Sequence, residues 1–164
     1  MRRLGKNKAA TGLYWQALAI NESALGDENQ TYAAILNNLA SVCASKNRSG
    51  EAEAMLQRAF GIDEKVLGSE HPDTAATARN LAALYAREKR YSEAELYYRK
   101  ALAIFESVWG TDSPGLTPIV HEFVAVLRAN HKYPDAEQWQ VRATRIQVKL
   151  ALRNDAARGS LQKN

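Results

Sequence analysis

Residues 97 to 104 read YYRKALAI, and the pattern returns as LYWQALAI at 13 to 20, MLQRAFGI at 55 to 62 and WQVRATRI at 139 to 146, always at a spacing of 42. Ala17, Ala59, Ala101 and Ala143 share one phase of that period, and Ile20, Ile62, Ile104 and Ile146 share another. Between these anchors NNLASVCA (37 to 44), RNLAALYA (79 to 86) and HEFVAVLR (121 to 128) recur at the same interval, as do the junctions Leu25-Gly26, Leu67-Gly68 and Trp109-Gly110. A fixed period of this length marks a chain built from stacked supersecondary units.

Each period contains two amphipathic helices. Leu81, Leu84 and Tyr85 fall at i, i+3 and i+4 on one of them, and Ala94, Tyr98, Ala101, Leu102 and Phe105 form a similar stripe on the next. Gly26, Gly68 and Gly110 stand where a helix should stop, and Pro72 and Pro114 follow four residues later. Asp73 and Ser113 are short acceptors suited to capping the helix that comes after. No run of alternating β-branched residues suggests a strand. The expected helices lie near 6 to 25, 31 to 46, 50 to 67, 73 to 88, 92 to 109, 117 to 130 and 134 to 152. Small residues recur at Ala40, Ala82 and Val124, at Ala52, Ala94 and Ala136, and at Ala59, Ala101 and Ala143, where bulk would hold neighbouring helices apart. Helix pairs this short cannot bury their own apolar faces, so they must stack into an all-α solenoid.

Composition fits one such domain. The chain has 164 residues, 46% of them hydrophobic, and a net charge of +4. That charge sits at the ends: residues 1 to 8 carry +4, residues 142 to 164 carry +5, and the stretch from 9 to 141 is acidic at −5. A nucleic-acid binder concentrates positive charge on its folded surface, so this distribution argues against one. No stretch approaches the roughly 20 apolar residues that span a bilayer, and the basic start MRRLGKNK has no apolar segment behind it. A single cysteine, Cys43, excludes an intramolecular disulfide framework. These features predict a soluble protein in a reducing, cytoplasmic setting, with a single domain over 1 to 155 and a flexible tail over 156 to 164.

The spacing Leu81-Ala82-Tyr85 followed by Ala94, Tyr98 and Ala101 resembles a tetratricopeptide repeat, and the 42-residue period with LNNLA, LGSEHPDTAAT and YSEAELYYRKALAI is similar to the kinesin light chain type of that repeat. The resemblance covers residues 5 to about 150, as a half repeat followed by three full ones beginning near 31, 73 and 115. It departs at ENQT and Cys43 in the first full repeat, and at Pro118, Phe123, Val124 and Gln140 in the third. It implies a right-handed superhelical solenoid that binds a protein or peptide partner and performs no catalysis. The first helix of each pair would line a concave groove for an extended, acidic peptide. Carried over by position, the groove would comprise Asn37, Asn38, Ser41 and Ser45, then Arg79, Asn80 and Arg87, then His121 and Arg128. Arginines on a helix face are more often solvated or paired with a neighbouring repeat than bound to a ligand. Asparagine is a mediocre helix former, so Asn37, Asn38 and Asn80 in mid-helix point either to a peptide backbone or to bonding between repeats.

Catalytic chemistry finds no support. His71, His121 and His131 lack metal-ligand spacing, and neither GxxxxGK[ST], GxGxxG nor GxSxG occurs. No cofactor is expected. The pairs Glu51/Glu53 and Glu93/Glu95 read as solvated, Cys43 as a buried small hydrophobe, and Trp15, Trp109 and Trp139 as parts of an interlocked core. The helix over 6 to 25 is the second member of a pair whose first member is missing, so Tyr14 and Leu18 are expected to lack a partner on one side. Such an end suggests either a piece of a longer array or a structural unit that joins subunits.

Overall fold

The computed structural model describes residues 2 to 161, with side chains from 11 to 155. These residues form seven α-helices and one short 3₁₀ turn, without a strand. The helices are α1 (Arg2–Leu25), α2 (Gln30–Ser45), α3 (Ser49–Val66), α4 (Pro72–Arg87), α5 (Tyr91–Trp109), α6 (Thr117–Ala129) and α7 (Tyr133–Leu161), and the turn is Pro114–Leu116. Interior boundaries agree with the period to within a residue or so. The last helix runs past the expected end near 152, through Leu161, so the segment taken for a tail starts inside α7. Residues 162 to 164 lie outside those described.

Each helix packs on its neighbours in the chain, and first helices of successive pairs also touch, α2 with α4 and α4 with α6. The repeated small residues make this approach possible. Ala40, Ala52, Ala59, Ala82, Ala94, Ala101 and Ala143 are wholly buried, and larger side chains interlock around them. One buried cluster runs from α2 to α7, and a smaller one joins α1, α2 and α3 through Leu18, Tyr32, Leu36, Leu39 and Ile62. No helix among the described residues is long and apolar enough to cross a membrane.

Two kinds of turn alternate. Between pairs, Gly26, Gly68 and Gly110 adopt positive φ, as their place after the helices requires. Within pairs, Asn47, Lys89 and His131 adopt φ near 60° in the same phase of the period. The next residue closes the helix each time, with Arg48, Arg90 and Lys132 N–H donating to the carbonyls of Cys43, Tyr85 and Leu127. This Schellman closure satisfies free carbonyls, and it left no glycine to reveal it.

Several expectations need correction. Leu18 is buried against α2 and α3, with Tyr14 packed beside it, so these two face inward. The outward face of α1 instead carries Leu13 and Ile20, about two thirds exposed. Its register explains the swap, because the positions equivalent to Leu13 and Ile20 are those that a preceding helix covers in later repeats. The cap of α4 is His71, whose Nδ1 accepts the Asp73 N–H, because Pro72 already occupies the first helical turn. Of the tryptophans, Trp139 packs on the core edge-on to Phe123, whereas Trp15 and Trp109 remain nearly half exposed.

Candidate functional site

The first helices α2 and α4 lie side by side and enclose an open cavity of about 590 Å³. Asn37, Asn38, Ser41 and Ser45 of α2 form one wall and Asn80, Ala83 and Arg87 of α4 the other, with Leu56 and Leu84 at the base. Spacing along a helix explains the alignment: 37, 41 and 45 repeat every fourth residue, as do 79, 83 and 87. Ala40, Ala44 and Ala83 keep the floor low.

The asparagines divide between two tasks. Asn37 Nδ2 donates to the Ala33 carbonyl (3.3 Å) and to Thr77 Oγ1 (2.8 Å), and its Oδ1 accepts from Asn80 Nδ2 (3.1 Å). Thr77 in turn donates to Asp63 Oδ2 at 2.7 Å. A relay thus joins α2, α4 and α3 and fixes the Asn37 and Asn80 amides in orientation. Asn38 is exposed and lines the cavity. Ser45 spends its hydroxyl proton on the Val42 carbonyl at 2.7 Å.

The arginines behave differently from one another. Arg79 is clamped by Glu122 of α6 through two parallel bonds, Nε to Oε2 at 2.9 Å and Nη2 to Oε1 at 2.5 Å, and this pairing holds its guanidinium firmly protonated. Tyr98 also donates to Glu122, at 3.4 Å. Arg79 therefore braces one repeat against the next and is not free for a ligand. Arg87 is exposed, with a long 3.4 Å bond to Ser49 Oγ, and projects at the cavity. His121 and Arg128 are exposed on α6 and line neither this cavity nor its neighbour. For Arg128 the reason is register: the residue one period after Arg87 is Ala129.

A second cavity of about 260 Å³ continues the first past the Asn37–Asn80 pair. Gln30, Asp63, Asp73 and Thr77 line it. Sequence reasoning missed Asp63, although an aspartate between Phe60, Ile62 and Val66 was a visible interruption of an apolar stripe. Burial raises its pKa above the ordinary 3.8, against the opposing bond from Thr77.

Carboxylates also act away from the groove, where the expectation of solvated pairs holds for Glu51 and Glu93, about half exposed, and fails for Glu53 and Glu95. Glu95 is 7% exposed and accepts from Lys132 Nζ, Arg99 and Asn130. One period earlier, Glu53 accepts from Arg90 at 2.8 Å and from the Tyr85 hydroxyl at 3.0 Å. In two of the three Schellman turns the closing cation, Arg90 or Lys132, thus reaches back to the preceding second helix, whereas Arg48 pairs with Glu51. Among the described residues no group of His, Cys, Asp and Glu could hold a metal.

The tetratricopeptide repeat model matches residues 1–65 and 31–107, well over half of the chain. The chain belongs to the tetratricopeptide repeat family. Its repeats are similar to those of BtubC (BKLC) from P. vanneervenii, with a TM-score of 0.84 and 26% identity over 92% of this chain and 60% of that one. They are equally similar in sequence to the nearly identical TPR-like repeats of a Podosopora anserina protein assigned to the kinesin light chains, at 26% identity and a TM-score of 0.80, covering 90% of this chain and 70% of that one. This chain therefore spans about three fifths of the length of BtubC. No curated protein sequence matches it. The tetratricopeptide fold is that of a protein–protein interaction module, and the kinesin light chain type of repeat accounts for the 42-residue period.

Proposed function

We propose that this chain is a non-enzymatic module that holds an extended peptide segment of a protein partner in the groove between α2 and α4, with an acidic group of the peptide at Arg87. The observation that carries the reading is the continuous cavity on a floor of alanines, walled by amides whose orientation is already fixed and closed by one weakly engaged guanidinium. Amides pair with peptide N–H and C=O groups, and a guanidinium can grip a carboxylate through two bonds. Asn38, Ser41, Asn80 and Arg87 are the contact residues, with Asn37 and Ser45 shaping the wall. Arg79 supports the groove through Glu122, and His121 and Arg128 extend the surface onto α6.

Arg87→Glu should weaken micromolar-class binding of fluorescein-labelled, glutamate-containing extended peptides roughly tenfold or more, about 1.4 kcal/mol, without changing the melting temperature. Added salt should weaken the wild-type interaction, because exposed charges are screened beyond about 8 Å at physiological ionic strength. Unchanged anisotropy titrations for the variant would remove Arg87 from the site.

A second reading, self-assembly through α1, is favoured by one observation. Leu13 and Ile20 are about two thirds exposed, whereas their counterparts Ile62, Ile104 and Ile146 are buried and Met55, Tyr97 and Trp139 are at least partly so. On this reading the sedimentation mass rises with concentration, and Leu13→Glu together with Ile20→Glu abolishes the rise. A mass independent of concentration in the unmodified chain would dismiss it.

A further inference from the structure

From the sign of the charges along the groove we infer that its ligand is bipolar: a basic side chain enters the cavity at Asp63 and Asp73 while an acidic one meets Arg87. The inference rests on the groove reading above and adds a second specificity to it.

Asp63 is the decisive residue. It is 3% exposed, yet it lines the smaller cavity, and its carboxylate accepts from the Thr77 hydroxyl. The other buried carboxylate among the described residues, Glu95, makes ion pairs with both Arg99 and Lys132. No ion pair among the described residues includes Asp63, and the nearby His71 turns Nδ1 to the Asp73 backbone N–H at 3.1 Å. A structural strut alone does not account for the charge. One period earlier Asn21 occupies the same phase and accepts a bond from Asn29 at 2.9 Å, so a neutral amide can stand at this buried position and accept a bond from the following repeat. Burying a carboxylate where an asparagine would serve costs stability, and burial does raise the Asp63 pKa. A cation arriving from the ligand offsets that cost.

The second carboxylate strengthens the trap. Asp73 lines the same cavity, is exposed, and its Oδ2 accepts from Gln30 Nε2 at 2.8 Å, with the half-exposed His71 ring nitrogen 3.8 Å away. Neither lysine nor arginine lines this cavity, and neither aspartate nor glutamate lines the larger one. The two cavities share Asn37, Asn38 and Asn80, so one ligand can occupy both.

Geometry sets the spacing between the two charges. Thr77, which bonds Asp63, lies about 15 Å from Arg87 along α4, and Asp73 about 21 Å, at a rise of 1.5 Å per residue. An extended peptide advances about 3.3 Å per residue, which puts its basic and acidic side chains about five or six positions apart.

Four capped, fluorescein-labelled peptides test this: one with Lys and Glu separated by five positions, one with the same pair in reverse order, one with Glu alone and one with Lys alone. At least one bipolar peptide should bind about tenfold tighter than the Glu-only peptide. Asp63→Asn, which keeps an acceptor for Thr77, combined with the exposed Asp73→Asn, should bring the ratio of bipolar to Glu-only affinity, measured within the variant, down to about one. Thermal melts confirm that the variant is folded. If the Glu-only peptide binds as tightly as both bipolar ones, or if the double variant keeps the preference for lysine, the inference is wrong while the groove reading stands. If none of the four binds, the groove reading itself fails.

Discussion

Phe123→Ala should cost about 3 to 5 kcal/mol, the range for emptying a large buried aromatic site. Phe123 is completely buried on α6, with its ring 6.0 Å from Tyr98 of α5 and 5.2 Å from Trp139 of α7, and the Arg99 guanidinium over its face. It is the ring through which the last helix pair meets the pair before it. Truncation leaves a cavity facing three helices, and none can close it without pulling away from its other neighbours. Its phase mates are Leu39 and Leu81, so Phe123→Leu only restores the residue usual at this position and should cost about 1 kcal/mol. Urea unfolding followed by circular dichroism distinguishes the two variants. A loss below about 1 kcal/mol for the alanine variant would mean that α6 does not carry this interface.

Glu95→Gln should cost about 2 kcal/mol, the scale of buried hydrogen bonds to a charged group. The value lies below that of a fully buried broken pair because Lys132 and Arg99 are half exposed and regain water. Acid provides a second signature. Burial alone would raise the Glu95 pKa, but the bonds from Lys132 and Arg99 outweigh it and bring it below the ordinary 4.5. A depressed folded pKa gives stability that is complete above the unfolded value and disappears as pH falls through the folded one. The gap in melting temperature between wild type and variant should therefore be full at pH 7 and shrink below about pH 4.5. Asp63 acts with the opposite sign. Its raised folded pKa gives a contribution present below its ordinary 3.8 and lost as pH rises through the folded value, so only the difference between wild type and Glu95→Gln isolates Glu95. A gap that stays constant from pH 7 to pH 3 would show that Glu95 is not ionised in its pairings.

The sequence displays the helix stack because its determinants repeat. Alanines at a 42-residue interval can be seen without knowing any contact, and their phase predicts where backbones approach. Side chains that reach into the next repeat are harder to see. Arg79 and Glu122 are opposite charges one period plus one residue apart, yet nothing local separates a clamped arginine from a free one such as Arg87. Glu95 looks solvated because a glutamate on a helix usually is, and its burial comes from Lys132 and Asn130 closing over it from the following turn. Asn47, Lys89 and His131 accept a strained backbone that glycine usually takes, so the turns they make carry no compositional mark. Asp63 was the most informative omission, because an acidic residue on an apolar stripe signals a cost that some other gain must offset.

Contacts that run only from each helix pair to its neighbours give the molecule a middle and two margins. Its resistance to opening is therefore a profile along the chain. The pair α4–α5 is flanked on both sides and forms the plateau, while α1 and the outer part of α7, exposed from Lys149 to Asp155, form the slopes. The groove spans the joint between the α2–α3 pair and that plateau. A segment seated there links two units that are otherwise coupled only through their shared interface, so occupancy lengthens the plateau towards the amino-terminal side. Amide protons of α2 would then exchange more slowly when the groove is filled, although their own hydrogen bonds are unchanged.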